Sequence, residues 1–364
     1  FMDLNMKNIA FFVLSLDVAG GVERVVTTIT NSIVSLNTSN IFVLNFYGNS
    51  QPFFHLDKRI KFTYLYDKKS RMSDNFVDSI SKIRVFLKEN NIEELVVVDI
   101  GLTIQANLAC FGLNINKIFW NHGNYLPYNN ERIPFRIKLA RCLVKTYFSH
   151  IITLTERDKS EWIKFYSGRA KVSVVLNPSS YDITNVNPDI GNKVILSIGR
   201  MEYQKGFDLL IESWAKIKDK KGWKLHIVGD GKEKDKLSFL IKKYNLDDSI
   251  VIYPFSSNVS DLYRSSSVYC MSSRFEGLPL VLIEAISFGL PVVSFDCYMG
   301  PAEIIKNSGI LCEPENIESL SKALSYFLSI SEDEYNLFSK NAQKDAERFC
   351  LSKIINDWKN ILDI

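Results

Sequence analysis

Two carboxylates, Glu276 and Glu284, bracket the start of the apolar stretch Pro279-Leu-Val-Leu-Ile-Glu-Ala-Ile-Ser-Phe-Gly289. Proline suits a first helical position because its missing N–H would have no intrahelical partner, and Gly289 followed by Pro291 supplies the stop, so a helix is predicted from Pro279. Apolar residues on nearly every side of it mean that it packs between a sheet and another layer. Glu284 is its only charge. A buried carboxylate without a partner is costly, so Glu284 must have a dedicated one. At ~1.5 Å per residue the two carboxylates are offset by roughly 7 to 8 Å along the axis plus the loop. The first amides of the helix and the positive end of its dipole favour a phosphate, and a carboxylate on each side can accept hydrogen bonds from hydroxyls. A phosphate flanked by hydroxylated rings is a sugar nucleotide.

Other chemistry-bearing residues sit in glycine turns after apolar strands. Gly199-Arg200 and Lys205-Gly206 place two cations five residues apart, which suits a diphosphate. Gly20 and Gly21 open a helix directly after a first strand, a geometry in which backbone amides can approach an anion. Gly229-Asp-Gly231 is a tight turn able to line a nucleotide pocket, and Pro254-Phe255 is placed near the base. Asn121-His122-Gly123 follows a strand at its carboxyl end, where open α/β sheets put their ligands. His55, His150 and His226 read as structural. Thr155-Glu-Arg-Asp158 reads as a helix cap with acidic residues in the first turn.

Glu276-Gly277-Leu278-Pro279 followed by Glu284 resembles the E-x7-E motif of the retaining glycosyltransferases of the GT-B fold, family 4. The resemblance runs along nearly the whole chain in motif order: glycine loop, histidine, Arg and Lys, paired Glu, terminal helix. It implies that Glu276 contacts the donor sugar and Glu284 the ribose, that Arg200 and Lys205 neutralise the diphosphate, and that His122 approaches the transferred sugar. Gly20, Gly21, Gly229, Phe255, Gly277 and Leu278 complete the expected donor-binding set. Asp296-Cys-Tyr-Met-Gly-Pro-Ala-Glu303 resembles the D-x-x-x-G-P-x-E segment of a subset using UDP-hexose or UDP-N-acetylhexosamine, which favours UDP over GDP. No D-x-D falls at a strand end, so the expected transfer is metal-independent and without a cofactor. The resemblance implies a glycan or lipid-linked glycan acceptor of bacterial surface polysaccharide synthesis. The alternatives are a GT-B sugar-nucleotide epimerase and a non-catalytic nucleotide-sugar-binding partner subunit.

These residues need strands and crossover helices to position them. A chain of 364 residues exceeds one ordinary core and suits two domains. Apolar runs at 8–16, 41–47, 95–100, 118–120, 150–154 and 172–176 alternate with helical patterns, as do those at 194–197, 224–228, 250–253 and 268–271, followed by the stretch described first. The expected fold class is α/β: two doubly wound Rossmann-like domains, residues 1–180 for the acceptor and 181–348 for the donor, facing an interdomain cleft. Residues 349–364 form a last helix that returns to the first domain.

Composition narrows the function classes. Residues 1–180 hold 22 lysines and arginines against 15 acidic residues, and residues 181–364 hold 22 against 26, so the first half is suited to an anionic partner. Its most basic stretch, residues 131–148, alternates Arg132, Arg136, Lys138, Arg141 and Lys145 with apolar residues at helical spacing, a basic amphipathic helix that could dock on an anionic membrane surface. A small net charge of +3 and the lack of aromatics interleaved with a continuous basic groove disfavour nucleic acid. The six cysteines show no C-x-x-C spacing and read as buried thiols of a reducing compartment. No apolar run reaches the ~18 residues of a membrane span and residues 1–7 show no secretory signal, so a cytoplasmic protein is expected, peripheral on the inner face of the plasma membrane if the basic helix docks.

Overall fold

The computed structural model describes residues 6–48, 51–69, 74–123, 132–164, 168–184, 188–254, 256 and 259–364. The chain divides into two compact units, Phe1–Asn177 with Ser352–Ile364, and Pro178–Leu351.

The first unit contains strands β1 (Lys7–Val13), β2 (Ser39–Tyr47), β3 (Lys61–Tyr66), β4 (Glu94–Val97), β5 (Asn116–Trp120), β6 (His150–Thr153) and β7 (Lys171–Val174). They form one sheet in the order β3-β2-β1-β4-β5-β6-β7, every pair parallel. Alternate residues of β1 serve opposite faces, as a period of two requires. Ala10 and Phe12 join a core with Phe42, Leu44, Ile83 and Leu102. Phe11, between them, turns to the last helix, Leu351–Leu362, where its ring lies 5.9 Å from that of Trp358. Both faces of the sheet are thus covered, which is why its strands read as nearly continuous apolar runs.

The second unit contains β8 (Val194–Ile198), β9 (Lys224–Val228), β10 (Ile250–Tyr253), β11 (Val268–Met271), β12 (Val292–Phe295) and β13 (Gly309–Cys312). Its sheet is again parallel, in the order β10-β9-β8-β11-β12-β13. The strand order reverses at β8 and β11, so the turns after those two strands splay to opposite sides of a switch point, where such sheets hold ligands.

Two strands were not foreseen from the sequence, β3 and β13. Both are sheet edges: β3 (Lys61–Tyr66) has no buried residue and a polar start, and β13 (Gly309–Cys312) is an apolar run of only four residues. The basic stretch at 131–148 also differs from expectation. Its helix spans Phe135–Tyr147, Glu131 lies outside the described residues, and Arg141 and Lys145 are buried rather than solvated. Lys145 Nζ donates to the Trp162 carbonyl at 2.6 Å. Being four residues apart, the two cations share one face, and that face turns inward. Among the described residues no helix is long and apolar enough to cross a membrane.

Candidate active site

In the second unit the apolar helix spans Leu280–Ser287, one residue later than proline rules suggest, with Pro279 as its N-cap at φ −72° and ψ 108°. No side chain caps this end. The Leu282 and Ile283 amides donate to the Pro279 carbonyl, and the amides ahead of them have no intrahelical acceptor, which leaves a concentrated partial positive charge at the helix mouth. Glu284 is 3% exposed, and its Oε2 accepts a hydrogen bond from the Tyr263 hydroxyl at 3.0 Å. That phenol is the dedicated partner the buried carboxylate demanded. Burial first, and then the charge of Glu284, pushes the Tyr263 hydroxyl far above its usual range, so it stays a donor.

Glu276 stands before the helix with its side chain 8% exposed, and Lys205 Nζ reaches its Oε1 at 2.6 Å. The two turns that carry this pair, after β8 and after β11, are therefore in direct contact. The Lys205 stem runs beside Gly199, where a Cβ would crowd it. Gly229 is required for a similar reason: at φ +150° a side chain there would collide with the Gly199 carbonyl. The Gly199 amide in turn donates to the Val228 carbonyl at 3.0 Å, so the Gly229 turn abuts the cationic turn.

Arg200 is placed differently from Lys205. Its side chain is 71% exposed and lies 3.9 Å from Glu202, a contact worth little in water. Gly277 and Leu278 form the bend between Glu276 and the helix, with Leu278 buried. The Cys297 thiol is buried close by, and burial, with Glu276 and Asp296 adding to it, pushes it well above the usual thiol range, so it remains protonated. Phe255 lies outside the described residues.

The first unit brings together a different set. His122 follows β5, and its ring centroid lies 4.5 Å from that of Trp120, which itself lies 4.6 Å from that of Trp358. The His122 Nε2 is buried without a partner among the described residues. Burial lowers the imidazole pKa to about 3, so the ring is neutral at physiological pH. The turn around it is fixed by Asn121, whose Nδ2 donates to the Gly123 carbonyl at 2.8 Å and to Asp158 Oδ2 at 2.7 Å. Thr155 Oγ1 accepts from the Asp158 amide at 3.1 Å, so the helix cap read from the sequence is present and its acidic member also steadies the histidine turn. A cavity of about 220 Å³ opens beside His122, lined by Ser15, Glu23, Asp99 and Arg141 among others. Gly20 caps the helix Gly21–Val34, and a Cβ on it would collide with the Glu23 carboxylate. That carboxylate folds over the glycine turn, so an anion arriving there would meet a negative charge.

Glu276, Glu284, Lys205 and the Asn121-His122 turn are legible in the sequence, whereas Tyr263, Asp208 and Arg274, and the pairing of Asp158 with Asn121, are not. Arg274 is adjacent to the motif in the chain. Its burial at 6% and its bidentate pairing to Asp208, at 3.0 Å for each nitrogen, depend on the packing of β8 beside β11.

Comparison with known proteins accords with these two parallel sheets. Residues 182–345 match the family described as glycosyl transferases group 1. An uncharacterized glycosyltransferase of Haemophilus influenzae is 34% identical over 98% of this chain and 100% of its own length. The amylovoran biosynthesis glycosyltransferase AmsD of Erwinia amylovora is 31% identical over 95% of this chain and 96% of its own. Among solved structures, Anabaena Alr3699/HepE in complex with UDP superposes with a TM-score of 0.81, at 17% identity over 98% of this chain and 100% of that one. The chain is a group 1 glycosyltransferase, of family 4, with the GT-B fold. It is related to enzymes of lipopolysaccharide and exopolysaccharide biosynthesis.

Proposed function

We propose that this protein transfers a hexosyl or N-acetylhexosaminyl group from a UDP-sugar to a hydroxyl of a glycan or lipid-linked glycan, with retention of configuration and without a metal. The observation that carries the reading is the Lys205–Glu276 contact of 2.6 Å, in the turn that leads four residues later into the uncapped helix Leu280–Ser287. It supplies a cation and free amides for a diphosphate beside a carboxylate for sugar hydroxyls. The UDP complex of the structurally similar Anabaena protein supports a uridine nucleotide.

In this reading the bond from the anomeric carbon to the diphosphate oxygen breaks while the acceptor oxygen bonds to the same face of that carbon. The acceptor proton passes to the departing phosphate. Lys205, the helix amides and Arg200 stabilise the charge that develops on the leaving group, which is where an enzyme gains most from fixed dipoles. Glu276 orients the sugar, Glu284 the ribose, and the neutral His122 donates or accepts one hydrogen bond to the sugar. A lipid-linked acceptor also gives a purpose to the outer face of the helix Phe135–Tyr147, where Phe135 is 79% exposed and Leu139 and Lys138 are exposed beside it. That face suits the boundary of a membrane better than bulk water.

The test is a mass-spectrometric assay of UDP-sugars and GDP-sugars, each with and without glycan and polyprenyl-diphosphate-linked acceptors. Release of UDP that depends on an acceptor, with a retained glycosidic product, is expected. Conversion of a UDP-sugar to its epimer with no nucleotide released would replace this reading with an epimerase. Sedimentation with liposomes should be weakened by Phe135→Ser; equal sedimentation of the two proteins rejects the docking face.

A further inference from the structure

The reaction as read above uses Lys205 and Glu276 but leaves a more deeply buried charge unexplained. Arg274 lies two residues before Glu276, is 6% exposed, and directs its guanidinium to other partners than that pair. Its Nη1 and Nη2 each reach Asp208 at 3.0 Å, its Nε reaches Glu315 Oε2 at 3.1 Å, and Nη1 also donates to the Tyr203 carbonyl at 2.7 Å. The guanidinium also stands 4.0 Å from the centre of the Tyr203 ring. All three guanidinium nitrogens are therefore engaged, in a fork that no lysine can reproduce. Burying a charge pair in this way is a poor means of gaining stability alone, because well-packed apolar residues often do as well.

What the fork does is join two turns. Asp208 belongs to the first turn of the helix Phe207–Lys216, directly after the Lys205 turn, where the helix dipole favours a carboxylate. The two turns are stitched together along their backbones as well. The Arg274 amide donates to the Gln204 carbonyl at 2.8 Å, Gln204 Nε2 donates to the Phe275 carbonyl at 3.1 Å, and Ser272 Oγ donates to the Lys205 carbonyl at 3.0 Å. Gly206 fits so closely against the Ser272 carbonyl that a Cβ would collide with it. Each turn carries one member of the Lys205–Glu276 pair, and the buried fork is the part of the seam that makes the most hydrogen bonds.

We propose that Arg274 is a positioning residue: gripped by Asp208, it locks the Lys205 turn against the Glu276 turn and so presets the cation–carboxylate pair before a donor arrives. What the pair then does to a donor rests on the function proposed above, whereas the presetting is a property of the free protein and is testable without turnover.

The first measurement is the side-chain ammonium NMR signal of Lys205 in the ligand-free protein, assigned by its absence in Lys205→Ala. In Arg274→Lys it should move to the position of a solvated lysine. An unmoved signal overturns the proposal, whether or not the protein turns over any sugar nucleotide. The second is a cycle of Arg274→Lys with Lys205→Ala. Arg274→Lys should lower kcat ~10-fold or more in the native background and less than about twofold when Lys205 is already absent. Equal losses in both backgrounds would make Arg274 merely structural. Loss of turnover in neither background, with the NMR signal shifted, would keep the presetting and reject the function assigned to the pair. Asp208→Asn, which keeps the shape and one hydrogen-bonding oxygen, replaces Arg274→Lys if that variant does not fold, with the same expected outcomes.

Discussion

The turns at the strand ends of the two units solve opposite electrostatic problems. In the second unit charges are gathered and paired: Lys205 with Glu276, Arg274 with Asp208 and Glu315, Lys236 with Asp208 and Glu233. In the first unit the residue of interest, His122, is held by aromatic packing, with its Nε2 buried and the ring neutral. A charged lattice gives direction to a ligand that carries negative charge and loses strength when any member is removed. A packed neutral ring presents a hydrogen-bonding atom without adding charge, and it depends on shape. The first arrangement suits a group that carries negative charge, and the second a polar group without charge.

If that contrast is right, the largest single effect on the first unit should come from a residue far from His122 in sequence. Trp358 is fully buried between Phe11 and Trp120. Trp358→Ala should cost ~3–5 kcal/mol in urea unfolding, the usual result of emptying an aromatic site in a core. A loss below about 1 kcal/mol, on the order expected of an exposed site, would show that the ring stack does not hold this region. In the second unit the largest effect should be kinetic. Lys205→Ala should reduce kcat ~100-fold or more, and because it strips the cation 2.6 Å from a Glu276 side chain that is only 8% exposed, a loss of stability should accompany it. A wild-type rate in that variant would mean that the cationic turn does not serve the leaving group.

Tyr263→Phe probes the buried end of the same lattice. It removes only the hydroxyl that donates to Glu284. A hydrogen bond donated to a charged carboxylate contributes about 1–3 kcal/mol, so unfolding should be easier by that order. If Tyr263→Phe is neutral in stability, Glu284 must be satisfied by other groups, and the phenol is not its principal partner.

The parts of this lattice that are local in the chain are legible in its sequence: Glu276 and Glu284 with the helix between, and Lys205 in its glycine turn. Each lies in a strand–turn–helix unit whose geometry follows from a few residues. The parts that are not legible join positions far apart in the chain, such as Asp208 with Arg274 or Asn121 with Asp158, and become neighbours only through strand order. A related reason hides β3, an edge strand with no buried residue, while β13 is an apolar run of only four residues. In the helix Phe135–Tyr147 the alternation of cations and apolar residues is real, but charge alone assigns the wrong face to solvent. Arg141 and Lys145 turn inward with Ala140 and Val144, while Phe135 and Leu139 turn outward. Long cationic stems pack well against apolar neighbours, and an inward carbonyl, that of Trp162, receives the ammonium of Lys145.

The smallest predicted effect tests the neutral state of His122. With its pKa near 3 in the folded protein, against the ordinary value of about 6.5, the unfolded chain binds a proton on this ring between those pH values and the folded protein does not. Folding stability therefore rises with pH across that window, and is lost as pH falls below about 6.5, by at most ~1.4 kcal/mol per unit for one such group. Burial also lowers His150 and His226, with Lys171 and Lys224 contributing, so they act in the same sense and the wild-type slope alone cannot be assigned. His122→Gln isolates it: urea unfolding from about pH 6 to pH 4 should show a shallower decline than wild type by up to ~1 kcal/mol per unit. An unchanged slope would mean that the ring takes up a proton in the folded state. It would then be cationic at mildly acid pH like the turns of the second unit, and the contrast between the two regions would fail at its most specific point.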